Sequence, residues 1–75
     1  MSAYKDVIES IDSTVNWRWV EGFMRNQYGT LSHLDRIDFE EEINLFKQTL
    51  EDFPNEEELW ESNARSHGLF EEEAG

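Results

Sequence analysis

Ten carboxylates in the second half of the chain have the most chemistry to offer: Asp35, Asp38, Glu40, Glu41, Glu51, Asp52, Glu56, Glu57, Glu58 and Glu61. Clustered acids can run hydrolytic acid–base chemistry, hold a hard cation, or stand in for phosphates. The first role needs one carboxyl desolvated in a pocket, so that its pKa departs from its neighbour's. A chain of 75 residues has little room for such a pocket. For the second role, Asp35-Arg-Ile-Asp38 lacks the alternating acids and central glycine of a calcium loop. Weak, non-specific divalent binding at 40–42 or 56–58 is the most these runs offer.

His33 and His67 are the only histidines, and neither lies in an H-x-E, E-x-x-H or H-E-x-x-H spacing. They read as turn, cap or surface residues. With no cysteine there is no disulfide framework, thiolate metal site or cysteine nucleophile. No glycine-rich phosphate loop is present. The expectation is a non-enzymatic chain with no cofactor and no metal site.

Phosphate mimicry remains. Residues 1–34 hold four acids (Asp6, Glu9, Asp12, Glu21) against three bases (Lys5, Arg18, Arg25). Residues 35–75 hold fourteen acids against Arg36, Lys47 and Arg65, so a local net charge of −11 out of a total of −12 falls there. An ordinary exposed helix mixes signs and pairs Glu with Lys four residues on. Here the repulsion has few cations to offset it. Such a row of carboxylates, spaced by rigid helices, fits a protein groove lined with Lys and Arg. Two plainer readings compete: a solvated helix face, and acids kept for solubility or a halophilic host.

The elements that must position these acids follow from apolar spacing. Three Trp, five Phe and two Tyr can fill a small core, so a folded protein is expected rather than an acidic disordered tail. Ser2 is a candidate cap for a first helix with Tyr4, Ile8, Ile11 and Val15 on one face, and Asp12-Ser13-Thr14 interrupts it. The segment 15–24 has two readings. Val15, Trp17 and Trp19 alternate as in a strand, whereas Val15, Trp19 and Phe23, with Val20 and Met24 beside them, form a helical stripe. Helix is preferred because no second strand is evident to pair with it.

Gly29 reads as a helix stop, with Thr30 or Ser32 starting the next element. From Asp38 to Phe53 a helix is expected, with Phe39, Ile43, Phe46, Leu50 and Phe53 on its core face and an Asp38–Glu41 capping box. Glu40, Glu41, Glu51 and Asp52 lie on the opposite face. Pro54 stops that helix. Asn55 and Glu58 suggest a second capping box, leading into a last helix with Leu59, Trp60 and Ala64. Gly68 ends it, Leu69 closes over the end, and Phe70 packs. The result is an all-α fold of three or four short helices around an aromatic-rich core. It forms one domain over 1–70, with 71–75 a frayed acidic tail. So small a core predicts marginal stability, reduced further by charge repulsion and improved by salt.

Very small, strongly acidic, helical, aromatic-rich and free of cysteine, the chain resembles phage- or mobile-element-encoded inhibitors that mimic DNA. The likeness is one of composition, without a motif, and carries over no residue roles. It implies an inhibitor of a basic nucleic-acid-binding protein or complex, such as a restriction enzyme, a CRISPR effector or a DNA-repair or transcription protein. Direct binding to nucleic acid or an anionic membrane is disfavoured with six cations in the chain. No apolar run approaches the roughly 18 residues of a membrane span, and the N-terminus lacks the apolar core of a signal peptide. The cytoplasm, that of the host if phage-encoded, is the expected compartment.

A second reading is a regulatory adaptor or antitoxin-like protein binding through Trp17, Trp19, Val20 and Met24. A third is a subunit facing a cationic neighbour. Trp17, beside Arg18, is the expected exposed anchor for a partner or a homodimer contact. Trp19 is expected in the core.

Overall fold

Short polar residues set the helix boundaries, and the intervening apolar residues fold them together. A computed structural model describes residues 4–70. Four helices run in order: α1 (Lys5–Ile11), α2 (Trp17–Tyr28), α3 (Arg36–Asp52) and α4 (Glu57–Ser66), with a 3-10 turn at Pro54–Glu56 between α3 and α4. The described residues contain no strand, so 15–24 belongs to the loop before α2 and to α2 itself. Ser2 and residues 71–75, the expected cap and tail, lie outside the described residues.

Each boundary has a chemical cause. Asp12 ends α1, and its carboxylate accepts from the Thr14 backbone N–H at 2.9 Å. Asn16 opens α2, its Oδ1 accepting from the backbone N–H groups of Arg18 (3.1 Å) and Trp19 (3.4 Å). Gly29, at φ 76°, closes α2 in a conformation that costs a glycine little.

Neither Thr30 nor Ser32 starts α3; both lie in the 29–34 connection, which also buries Leu31. Asp35 is the N-cap instead. Its Oδ1 accepts from Asp38 N–H at 3.0 Å, while Asp38 Oδ2 accepts from Asp35 N–H at 3.1 Å. The capping box is therefore Asp35–Asp38, not Asp38–Glu41. A carboxylate three residues into the helix reaches back to the cap, and Arg36 and Ile37 join the first turn.

Phe53 leaves helical geometry before Pro54. The expected Asn55–Glu58 box does not form. The 3-10 turn brings the backbone directly into α4, with Glu56 at the N-cap and no side-chain cap bond. At the far end Leu69 N–H donates to Ala64 O (3.1 Å) and Gly68 N–H to Arg65 O (3.0 Å), with Gly68 at φ 74°. This is a Schellman closure, and it buries Leu69.

α2 is the hub, packed most extensively on α4 and also on α1 and α3. Ile8, Trp17, Val20, Met24, Leu31, Phe39, Ile43, Phe46 and Trp60 form the core. Phe23, Phe46 and Trp60 join α2, α3 and α4 through tilted and edge-on contacts, with centroids 5.3–5.5 Å apart. Tyr4 stacks on Phe39 at 5.7 Å.

The expected core face of α3 holds for Phe39, Ile43 and Phe46. Leu50 is half-buried, and Phe53, beyond the helix end, is 54% exposed. On α4, Trp60 and Ala64 are buried but Leu59 is exposed. Of the two tryptophans of α2, the expected exposed anchor Trp17 is the more deeply buried, while Trp19 packs against the core with part of its surface open. Trp17 is 7% exposed and belongs to the core, whereas Trp19 is half-buried. Trp17 opens α2, and Lys5 at the start of α1 lies over its ring.

Candidate functional site

The ten expected site carboxylates fall into distinct groups. Asp35 and Asp38 hold each other's backbone at the start of α3. Glu61 accepts from the Trp19 indole Nε1 at 2.9 Å and lies 3.4 Å from Arg65. These three have structural duties. The four acids farther along α3 are exposed. With about 3.6 residues per turn, Glu40 and Glu51 share one azimuth and Glu41 and Asp52 another, roughly 100° away. They form two rows, each spanning about 16 Å, rather than one face. Glu40 is 3.5 Å from Arg36. Glu57 and Glu58 are exposed at the N-terminal end of α4, whose dipole favours acids there, and Glu56 is half-buried.

The cations explain why so many of these acids stand alone. Lys5 lies over the Trp17 ring at 5.8 Å, and Arg18 is sandwiched between Trp17 (4.8 Å) and Phe70 (4.9 Å). Arg25 pairs with Glu21 at 2.9 Å and approaches the Tyr4 ring. Arg36 reaches Ser10 and Glu40. Lys47 pairs with Asp12 at 2.7 Å, and Arg65 divides between Glu61 and the Phe70 ring. All six basic residues are thus engaged internally. Among the described residues no cation lies within ion-pair distance of Glu41, Glu51, Asp52, Glu56, Glu57 or Glu58.

Among the described residues, two acids outside the expected set are buried. Glu21 is 1% exposed on α2 and binds Arg25. Glu42 is 9% exposed and accepts from Gln27 Nε2 (2.6 Å) and from the Tyr28 hydroxyl (3.0 Å), tying the end of α2 to α3. Its position three residues after Phe39 and four before Phe46 puts it beside the apolar stripe, a signal readable in the run Glu40–Glu42. The anionic partner pushes the Tyr28 phenol pKa above 10. Asp12 moves the other way. The Lys47 hydrogen bond, helped by Thr14, lowers its carboxyl from 3.8 to about 2.

The apolar anchor expected at Trp17 is not available, because that ring is buried. Val20 and Met24 are likewise buried, so of the apolar set 17, 19, 20 and 24 only Trp19 reaches the surface. Among the described residues the exposed large apolar side chains are Tyr28, Ile37, Leu45, Phe53 and Leu59. Ile37 and Leu45 flank Glu41 on the outer side of α3.

His67 caps α4 and lies 2.9 Å from Asn26 Oδ1, and His33 meets the edge of the Tyr28 ring. No group of three or more potential metal ligands converges among the described residues. None of the described helices is long and apolar enough to cross a membrane. No known protein family, curated protein or solved structure matches the chain.

Proposed function

We propose that this protein binds a basic nucleic-acid-binding protein and blocks it by offering carboxylates where the partner expects phosphates. One observation carries the reading. Every lysine and arginine is engaged within the fold, while no cation lies within ion-pair distance of Glu41, Glu51, Asp52, Glu56, Glu57 or Glu58 among the described residues. Helices hold most of these groups at set spacings, so the acids need little reordering when a cationic groove closes over them. Encounter is steered by the net charge of −12, which makes association fast at low salt and steeply salt-dependent. The candidate targets are restriction enzymes, CRISPR effectors and DNA-repair or transcription proteins.

The test is displacement of labelled duplex DNA from a panel of such proteins. Reversal of Glu40, Glu41, Glu51 and Asp52 to Lys is expected to abolish displacement while the helical circular dichroism persists. Undiminished displacement by a folded quadruple variant would discard the proposal.

A second reading, an adaptor docking through apolar contacts, is favoured by the exposure of Ile37 (64%) and Leu45 (44%) on α3. It predicts binding that survives about 0.5 M salt, where surface charges are largely screened, and that is lost in Ile37→Asp.

A further inference from the structure

A cleft of about 370 Å³ opens between the α1–α2 connection and the C-terminal half of α3. Val15, Trp19, Phe46 and Leu50 form its apolar walls, and Thr14, Asn16, Lys47 and Glu51 stand around them. The volume is near the lower end for a ligand pocket, about 300–1,000 Å³. Phe46 is fully buried, whereas Val15, Trp19 and Leu50 keep part of their surface open.

The cleft is held in place from two sides. Trp19 is fixed by its indole bond to Glu61, and Lys47 by its ion pair with Asp12. Neither must reorganise for the cleft to exist. The charge at its mouth is asymmetric: Lys47 is paired with Asp12, while Glu51, one turn further along α3, is exposed with no cation within ion-pair distance among the described residues. An apolar hollow beside one unbalanced carboxylate selects an apolar group carrying a nearby positive charge.

We propose that this cleft receives one apolar side chain of a protein partner, with an adjacent lysine or arginine of that partner set against Glu51. The inference rests on the reading above that the partner is a basic protein, and it adds an anchor that a nucleic acid does not supply. The acids then account for steering and salt dependence, and the cleft for part of the residence time.

The experiment uses the full chain, isotopically labelled, with small probes followed by amide and indole NMR shifts. The probes are phenethylammonium, phenylacetate and ethylammonium. Phenethylammonium is expected to move the Trp19 indole, Leu50 and Glu51 signals and to bind about fivefold more tightly than phenylacetate, the scale of one partly exposed ion pair. Ethylammonium, lacking the ring, is expected to leave the Trp19 indole unmoved. Glu51→Gln, an exposed substitution that leaves the core intact, is expected to bring the two aromatic probes to near-equal affinity. Shifts spread away from the cleft, or equal binding of both aromatic probes to the unmodified protein, would overturn the proposal. So would a concentration-dependent dimer that covers Trp19 and Leu50, since the occupant would then be a second copy. The titration needs no target protein, so it fails or succeeds separately from the DNA-displacement test.

Discussion

Lys47 on α3 reaches across the bundle to Asp12, the residue that ends α1, and places its Nζ 2.7 Å from Oδ2. The pair ties the longest helix to the α1–α2 turn. It also draws one of the two cations of α3 away from the carboxylates on that helix, and so helps leave Glu51 unbalanced.

This pair makes a pH-dependent contribution to stability. The folded carboxyl of Asp12, at about 2, lies below its ordinary 3.8. The stabilisation is therefore complete above the unfolded value and is lost as pH falls from there through about 2. Thermal melts of the protein and of Asp12→Asn are expected to differ most near neutral pH and to converge near pH 2. A constant gap across that range would show that the pair does not titrate as described.

Tyr28 and Glu42 provide the opposite sign at high pH. The carboxylate accepts from the phenol and disfavours the phenolate, so the folded pKa lies above 10. The contribution is present below the unfolded value and disappears as pH rises through the folded one. Phenolate absorbance is expected to show Tyr28 titrating later than in Glu42→Gln, where the pKa falls back toward 10.

Gly22 lies where α2 packs on α4, facing Asn63 and Ala64. A Cβ at this position would collide with Asn63 Oδ1 and meet the Ala64 Cα at 3.5 Å. Alanine favours a helix by about 1 kcal/mol over glycine, but forced overpacking typically costs about 1–3 kcal/mol. Gly22→Ala is expected to be destabilising by about 1 kcal/mol net. Adding Asn63→Ala relieves the collision and is expected to recover stability in urea unfolding. If the double variant is no better than the single, the Asn63 side chain is not the obstacle.

Salt should raise stability. The exposed acids of α3 and α4 outnumber the cations of those helices and repel one another, and added ions screen this over a distance of about 8 Å at 0.15 M. The melting temperature is expected to climb with sodium chloride. Replacing Glu41, Glu51, Asp52 and Glu58 with the corresponding amides is expected to raise it at low salt and flatten the dependence. A melting temperature indifferent to salt would place those carboxylates farther apart than the helices imply.

The sequence alone determined features governed by neighbours along the chain. The 4, 3, 4 spacing of Phe39, Ile43, Phe46 and Leu50 marks the inward side of α3, because helical period and burial are coupled. Gly29, Pro54 and Gly68 mark the stops, since only certain residues tolerate those backbone angles. The uneven charge was equally plain. Only the tertiary structure decided which partner each polar or aromatic group finds. Trp17 is inside and Trp19 reaches the surface because α1 and α4 cover α2 from particular sides. Lys47 takes Asp12, thirty-five residues away in sequence, rather than a nearer acid. Glu42 is buried beneath Tyr28, while Glu41 beside it faces solvent. These outcomes depend on distances between helices, and local spacing carries no information about what another helix will bring within reach.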